Sequence, residues 1–301
     1  MQRLLIVYNP NSSQYIRVRD EILNRVTNLP GFLIGKFEIK KTSFGTNIAR
    51  LIKILKDDDL VLATGGDATA DITANAILES GKDATLAVLP YGNFNDLART
   101  LGTMKLEDLG LPNVNAHKFY PLKVIVDGKF WRYATCYATI GMTAEAVKIF
   151  DKPKIRGNMQ KGRKSSWRSY LQLTSWYFTH HRKDFIPEFK LNGKLQRSKT
   201  SDYFAINGKY VARIMNGGTD FLKPKTFHSK AERLASSPRF LTWVTKSVFH
   251  RVPGEETTRD VLDFLRPDTI SVQTAGESET FNNVARIEIK KPDCFLKVIT
   301  K

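Results

Sequence analysis

Gly65, Gly66 and Asp67 stand in the stretch VLATGGDATADITANAIL, Val61 to Leu78, where a short apolar run hands over to a helical pattern. Two glycines at such a junction let the backbone turn with no Cβ to hold a ligand away, and amides ahead of a helix N-terminus favour an anion. The chemistry this suits is the cradling of phosphate. Asp67 would repel a bare phosphate, but it can orient a metal-bound water or a polar ligand group; the plainer alternative makes it a helix cap. A second stretch, LPYGNFNDLART, offers Gly92 for close approach, Asn93 and Asn95 as donors, and Asp96 just inside the next helix. YNPNSS, with Asn9 and Ser12, adds free amides and hydroxyls after the first apolar run. No Gly-Lys-Ser/Thr is present and no GxGxxG follows the first strand, which excludes a Walker A loop and a dinucleotide fingerprint. One short glycine motif is weak evidence, but several loops of this kind at strand ends are a pattern.

Periodicity supplies the elements that must hold these loops. LLIVYNP, FLIGKFEIKKT (ending near Thr42), DLVLAT and TLAVLP read as buried strands; RVRDEILNRVTNL, TNIARLIKILK, ADITANAILES and FNDLARTLG repeat at helical spacing. Such alternation predicts α/β architecture, a doubly wound and mostly parallel sheet covered on both faces, with ligands beyond the carboxyl ends of its strands. Asn9, Thr42, Gly65 to Asp67 and Gly92 to Asp96 fall at those ends. From about Pro121 the pattern changes to antiparallel β. Asp127-Gly128 and Asn192-Gly193 are hairpin signals, and DYFAINGKYV, RFLTWVTKSVF, DTISVQT and VARIEIKKPDCFLKVIT read as further strands, around an aromatic-rich helix in SWRSYLQLTSWYFTHH.

Composition limits the partners. A chain of 301 residues, 42% hydrophobic, has enough material for two ordinary domains. Cys136 and Cys294 make no disulfide framework and no zinc spacing, which suits a reducing cytosol. The N-terminal apolar run is too short for a secretory signal, and no stretch approaches the roughly 20 apolar residues of a membrane span. The expectation is a cytoplasmic protein, at most peripheral at the inner membrane face. Its formal net charge of +17 favours phosphate-rich partners: nucleotides, anionic lipids or nucleic acid. Basic residues concentrate at Lys152, Lys154, Arg156, Lys161, Arg163, Lys164 and Arg168, beside Trp167, Tyr170, Trp176 and Tyr177. That suits a membrane-facing patch, or simply a solvated loop ahead of a core helix. A nucleic-acid reading would use the same charges, but no RNP, KH or zinc pattern accompanies them. His180-His181 lacks the i, i+4 spacing of a helical metal pair and reads as surface.

The motifs, taken in order, resemble the diacylglycerol kinase catalytic-domain family, which includes bacterial diacylglycerol kinases and sphingosine kinases and shares its fold with NAD kinase. GGDATADITANAIL is similar to that family's GGDGT signature and following helix, and LPYGNFNDLARTLG to its P-x-GT-x-ND-x-AR-x-LG segment. YNPNSS resembles its NP-x-SG loop, ATIGMTAEAV its mid-chain glycine segment, and VQTAGESETF the region of its DGE triplet. The resemblance implies an NAD kinase-like nucleotide domain over 1–120, with 288–301 returning to it, and a β-sandwich-like lipid-substrate domain over 121–287, ATP lying in the cleft between them. It implies that Asn9, Ser12 and Thr42 contact nucleotide, that Gly65, Gly66, Asp67 and Thr69 form the phosphate loop, and that Gly92, Asn93, Asn95 and Asp96 hold the second loop. Asp67 and Glu277 would be catalytic, Glu277 as the base that takes the lipid hydroxyl's proton, with ATP and magnesium as cofactors and diacylglycerol as the default acceptor. Three positions depart from the pattern: Ala68 for the last glycine of GGDGT, Asn93 for a threonine, and Ala275 for the aspartate of DGE. If position 68 needed positive φ, alanine there would cost about 1 to 2 kcal/mol. HSKAERLASSPRFL holds Glu232 as its only carboxylate where the family builds a structural magnesium site, so no metal ligand is assigned. The alternatives are a lapsed member that binds nucleotide or lipid as a regulator and, third, a nucleic-acid-binding protein.

Overall fold

Leu4, Leu5, Ile6 and Val7 are consecutive and almost wholly inaccessible, as a strand covered on both faces requires. The computed structural model describes residues 2–12, 14–26, 29, 31–109, 115–150, 175–180, 185–196, 200–211, 215–217, 225–232, 237–249, 254–275 and 277–301. The chain divides into two compact units, one drawn from Met1–Pro121 and Pro292–Lys301, the other from Leu122–Thr219 and Lys225–Lys291. The basic run from Lys152 to Arg168 lies outside the described residues, as do Trp167, Tyr170 and His181.

The first unit holds β1 (Gln2–Tyr8), β2 (Phe32–Glu38), β3 (Leu60–Gly65), β4 (Thr85–Pro90), β5 (Asn115–Phe119) and the last strand of the chain, β18 (Leu296–Thr300). They form one sheet in the order β2-β1-β3-β4-β18-β5. Every pairing is parallel except that of β5 with β18. The helices are α1 (Tyr15–Arg17, running on into a wider turn at Val18–Leu23), α2 (Phe44–Ile52), α3 (Asp67–Ser80) and α4 (Asp96–Thr100). Val18, Ile22 and Val26 pack with Leu4, Ile6, Leu62 and Leu89. Because β2 lies on one side of β1 and β3 with β4 on the other, the winding reverses between β1 and β3, which is where a doubly wound sheet opens its crevice.

α3 is buried along most of its length, and its polar side chains turn back on the helix: Thr73 donates to the Thr69 carbonyl and Asn75 to the Asp71 carbonyl, each at 2.8 Å. Ala68 is the second residue of α3 and is not among the residues with positive φ. The strain considered for position 68 therefore does not arise, and alanine suits the first turn of a helix.

The second unit is antiparallel. Its strands are β6 (Leu122–Val126), β7 (Lys129–Ala134), β8 (Tyr137–Gly141), β9 (Phe189–Leu191), β10 (Lys194–Leu195), β11 (Asp202–Ile206), β12 (Tyr210–Val211), β13 (Met215–Asn216), β14 (Phe227–Glu232), β15 (Glu255–Thr257), β16 (Arg259–Thr274) and β17 (Glu277–Lys290). The main path runs β15-β14-β11-β8-β16-β17-β6-β7. Both hairpin signals are realised with two left-handed residues each: Asp127 and Gly128 at φ 47° and 76°, Asn192 and Gly193 at 51° and 82°, the geometry that matches strand twist. Phe189, Tyr203, Phe227, Leu262 and Ile287 centre the core. α5 (Met142–Phe150) follows β8 directly.

One expectation is corrected. RFLTWVTKSVF, read as a strand, lies within α6 (Ser237–Phe249). Its β-branched and aromatic content favours a strand locally, but packing decides: Trp243 is buried and stacks on Phe204 with ring centroids 5.2 Å apart, while Leu241, Thr242 and Thr245 are exposed.

Just beyond β17, the Lys291 ammonium bonds the Asn207 side-chain oxygen, and Asn207 in turn donates to the Thr135 carbonyl at 2.9 Å. Desolvation pulls Lys291 down to about 7. An unfolded chain then binds more protons than the folded one between about pH 7 and the ordinary lysine range, so stability rises with pH across that window and the penalty is complete below it. Thermal midpoints of the native chain should climb from pH 7 to 9, and Lys291→Met should flatten that climb. Equal slopes for the two proteins would show the amine to be hydrated like any surface lysine.

Candidate active site

Because β1 to β4 run parallel, the loops that follow them share one rim of the first unit. After β1, Asn9 shapes its own loop: its side-chain oxygen accepts the Asn11 amide at 2.9 Å and its carbonyl the Ser12 amide at 3.0 Å. The Ser12 hydroxyl oxygen is buried with no partner among the described residues. After β2, Thr42 is exposed, its amide donating to the Lys40 carbonyl at 2.8 Å.

The loops after β3 and β4 touch backbone to backbone. The Tyr91 amide donates to the Gly65 carbonyl at 3.1 Å. A Cβ placed on Gly92 would stand 2.2 Å from the Gly66 Cα, and one on Gly65 would stand 2.4 Å from the Thr69 hydroxyl oxygen. Glycine at 65 and 92 is therefore dictated by contact, not by a left-handed turn. The left-handed residue is Asn95, at φ 57°; it accepts the Gly92 amide at 2.7 Å and donates back to the Gly92 carbonyl at 2.8 Å. Thr69 is buried beneath Gly65, Asp96 is fully buried and Asn93 half-buried.

Asp67 joins the two loops. As the first residue of α3, half-buried, it accepts the Leu97 amide of α4 at 3.2 Å. Burial pushes its carboxyl up, while the amides of Leu97, Asp96 and Asn95 pull the other way. Its charge thus stands between the first turns of two helices, where their dipoles favour an anion. The plain capping alternative is corrected: Gly66 is the N-cap of α3 and no side chain caps it, while Asp67, the first helical residue, reaches across to fix the second glycine loop.

Two residues unmarked by sequence motifs complete the clamp. Gln14 donates to the Gly92 carbonyl at 3.0 Å, and the Tyr91 hydroxyl donates to Glu21 at 2.8 Å. Burial and that carboxylate push the Tyr91 phenol up to about 12. Gln14 and Glu21 have no type or spacing that announces a role; only their place on α1, against the loop after β4, supplies one.

In the second unit, Glu277 opens β17 opposite Thr274 and is half-buried. Beside it Ala275 is buried at φ 44°, a region L residues enter at a cost of about 1 to 2 kcal/mol. Ala275→Gly should stabilise the protein by about 1 kcal/mol, read as a higher denaturant midpoint at constant slope; an unchanged midpoint would show the turn unstrained. The mid-chain glycine segment is also set by contact. Gly141, at φ 100°, would place a Cβ 2.6 Å from the Ser201 carbonyl oxygen. The next turn is held by Asp202, which accepts the Thr143 amide at 3.0 Å and its hydroxyl as well. Burial pushes Asp202 well above the carboxylate range, and Glu232 adds to the rise. Tyr177 lies 3.4 Å from the Thr143 hydroxyl and Trp176 stacks on His180 at 4.6 Å, so these two aromatics spend part of their surface on internal contacts.

Residues 3–126, which span both glycine loops, match the family model described as the diacylglycerol kinase catalytic domain. That segment is similar to the diacylglycerol kinase catalytic domain over about two fifths of the chain. The diacylglycerol kinase of Bacillus subtilis (strain 168) is 31% identical over 104 residues, 34% of each chain. That of Staphylococcus carnosus (strain TM300) is 29% identical over 102 residues, 33% of each. The chain thus matches about a third of the length of these relatives. In fold, the whole chain superposes on a crystal structure of a diacylglycerol kinase from Bacillus anthracis str. Sterne with a TM-score of 0.67 at 16% identity, covering 100% of this chain and 97% of that one. Among the described residues, no three His, Cys, Asp or Glu side chains group closely enough to hold a metal ion by themselves, and no helix is long and apolar enough to cross a membrane.

Proposed function

We propose that the protein is a lipid kinase that transfers the γ-phosphoryl group of ATP to a lipid hydroxyl, with diacylglycerol as the acceptor. The observation that carries this reading is the backbone contact of the two glycine loops beside the sheet's switch point, which puts backbone without Cβ atoms at the rim. Such a rim suits a polyphosphate. Transfer needs little covalent help from protein; it needs positioning and charge stabilisation. In this reading phosphate approaches the Cβ-free backbone at Gly66, the Gly92 amide being held by Asn95, while Asn9, Ser12 and Thr42 contact the nucleotide and Asn93 and Asp96 steady the second loop.

Magnesium is usually held by one or two carboxylates together with substrate phosphates and water. A single rim carboxylate without a closed protein cage fits that habit, and Asp67 is the residue that would hold the ion. The ion supplies neutralisation of charge on the transferring phosphoryl. Glu277 takes the proton of the lipid hydroxyl as its oxygen bonds the γ-phosphorus and the bond to the ADP oxygen breaks.

The test is incubation with γ-labelled ATP, magnesium and mixed micelles of diacylglycerol or of sphingosine. Label in diacylglycerol supports the proposal, and label in sphingosine alone would replace the acceptor. Ala275, standing where the family has an aspartate, favours one second reading, a lapsed regulator; nucleotide binding with no transfer to either lipid would establish it. Steeply salt-dependent binding to nucleic acid, indifferent to nucleotide, would overturn both.

A further inference from the structure

α6 carries an outward face that the fold does not use. Pro238, Arg239, Leu241, Thr242, Thr245, Lys246 and Phe249 are all exposed, while Trp243 on the opposite side packs against Phe204. Phe249 is 77% exposed and Leu241 50%. At about 100° per residue, Leu241, Thr245, Phe249 and Thr242 fall in one continuous arc with Lys246 and Arg239 along a single flank. The helix has no acidic residue, and neither cation forms an ion pair with a described residue. We propose that α6 is an interfacial docking helix whose occupant is an anionic lipid bilayer: Phe249 and Leu241 enter the headgroup boundary while Arg239 and Lys246 meet lipid phosphates.

Three features select that occupant. Exposed apolar residues bordered by cations are the composition of a helix lying in the plane of a membrane surface. The chain's net charge of +17 attracts an anionic leaflet, each basic group near it adding to the attraction. The same charge opposes a second copy of the chain on this face. The purpose of docking rests on the lipid-kinase reading, since an acceptor hydroxyl must be reached in a bilayer, but the docking itself is measurable without it.

The experiment is co-sedimentation of the full chain with vesicles of phosphatidylcholine containing phosphatidylglycerol, beside vesicles of phosphatidylcholine alone. The native chain should partition onto the anionic vesicles at least about tenfold better. Leu241→Ser with Phe249→Ser should lower that partition about tenfold or more. Arg239→Gln with Lys246→Gln should lower it severalfold and weaken its salt dependence. All variants should keep the native thermal midpoint, because the altered side chains are exposed. Unchanged partition of the apolar double variant would overturn the proposal; so would a dimer of the native chain, seen by sedimentation velocity and lost in that variant, which would assign the face to a second copy. Phosphorylation of a dispersed short-chain diacylglycerol reads the other claim separately. If it proceeds while vesicle binding ignores α6, the docking proposal fails alone; if it is absent while binding depends on α6, the kinase reading fails alone.

Discussion

Glu277→Gln should leave lipid phosphorylation slower by about a thousandfold, within the range a positioned general base contributes, with nucleotide affinity near the native value. Glutamine keeps the size of the side chain and the place of residue 277 opposite Thr274 in the hairpin, but it accepts no proton at neutral pH. A drop in kcat and kcat/KM together, with KM for ATP unchanged, would mark an interaction used only in the transition state. Native circular dichroism and thermal midpoint are needed beside the rates, since Glu277 also has contacts within the structure. If the variant turned over at more than a tenth of the native rate, Glu277 would be no base, and the proton would have to leave by water or another group.

The second large effect is expected at Gly92. A methyl there would stand 2.2 Å from the Gly66 Cα, and because the obstacle is backbone, no rotamer can yield. The loops must part by at least about 1 Å, a displacement that commonly costs about a hundredfold when it misplaces reacting groups. Gly92→Ala should therefore lower kcat/KM for ATP by about two orders of magnitude. Gly66→Ala, whose methyl would meet the Gly92 Cα at 3.3 Å, should cost less. Gly45→Ala is the control: nothing lies within 4 Å of its added methyl, so activity should hold and stability rise slightly, as alanine in a helix allows. Equal ATP kinetics for all three variants would mean the loop contact has no part in nucleotide binding.

The first unit was legible because its signals are local. Consecutive apolar residues such as Leu4 to Val7 identify a buried parallel strand, and glycines at the ends of such strands mark a rim. The hairpins at Asp127-Gly128 and Asn192-Gly193 were equally plain, since few residues other than asparagine, aspartate and glycine enter the left-handed region readily. What escaped reading depends on contacts far apart in sequence. Gln14 matters only because the Gly92 carbonyl faces it. Asp67 reads in sequence as a group that orients a metal-bound water or a polar ligand group, and the structure makes it also a clip between two helix starts. α6 reads as a strand in sequence because Trp243, Val244 and Val248 favour extended backbone, yet burial of the indole against Phe204 wins over that preference. At Ala68 the family comparison suggested strain that the helical backbone removes.

The place of β18 carries a consequence for how the molecule is made. β5 pairs with β18, and β18 also extends the parallel ladder from β4, yet the whole second unit is synthesised between them. On a growing chain, β5 and the flank of β4 must wait as open ladders until that intervening mass has emerged, a slow, non-local closure that leaves sticky edges in the meantime. Assembly of the first unit thus waits for a strand translated after the whole second unit, and a product stalled or clipped ahead of β18 should be prone to aggregate through that gap.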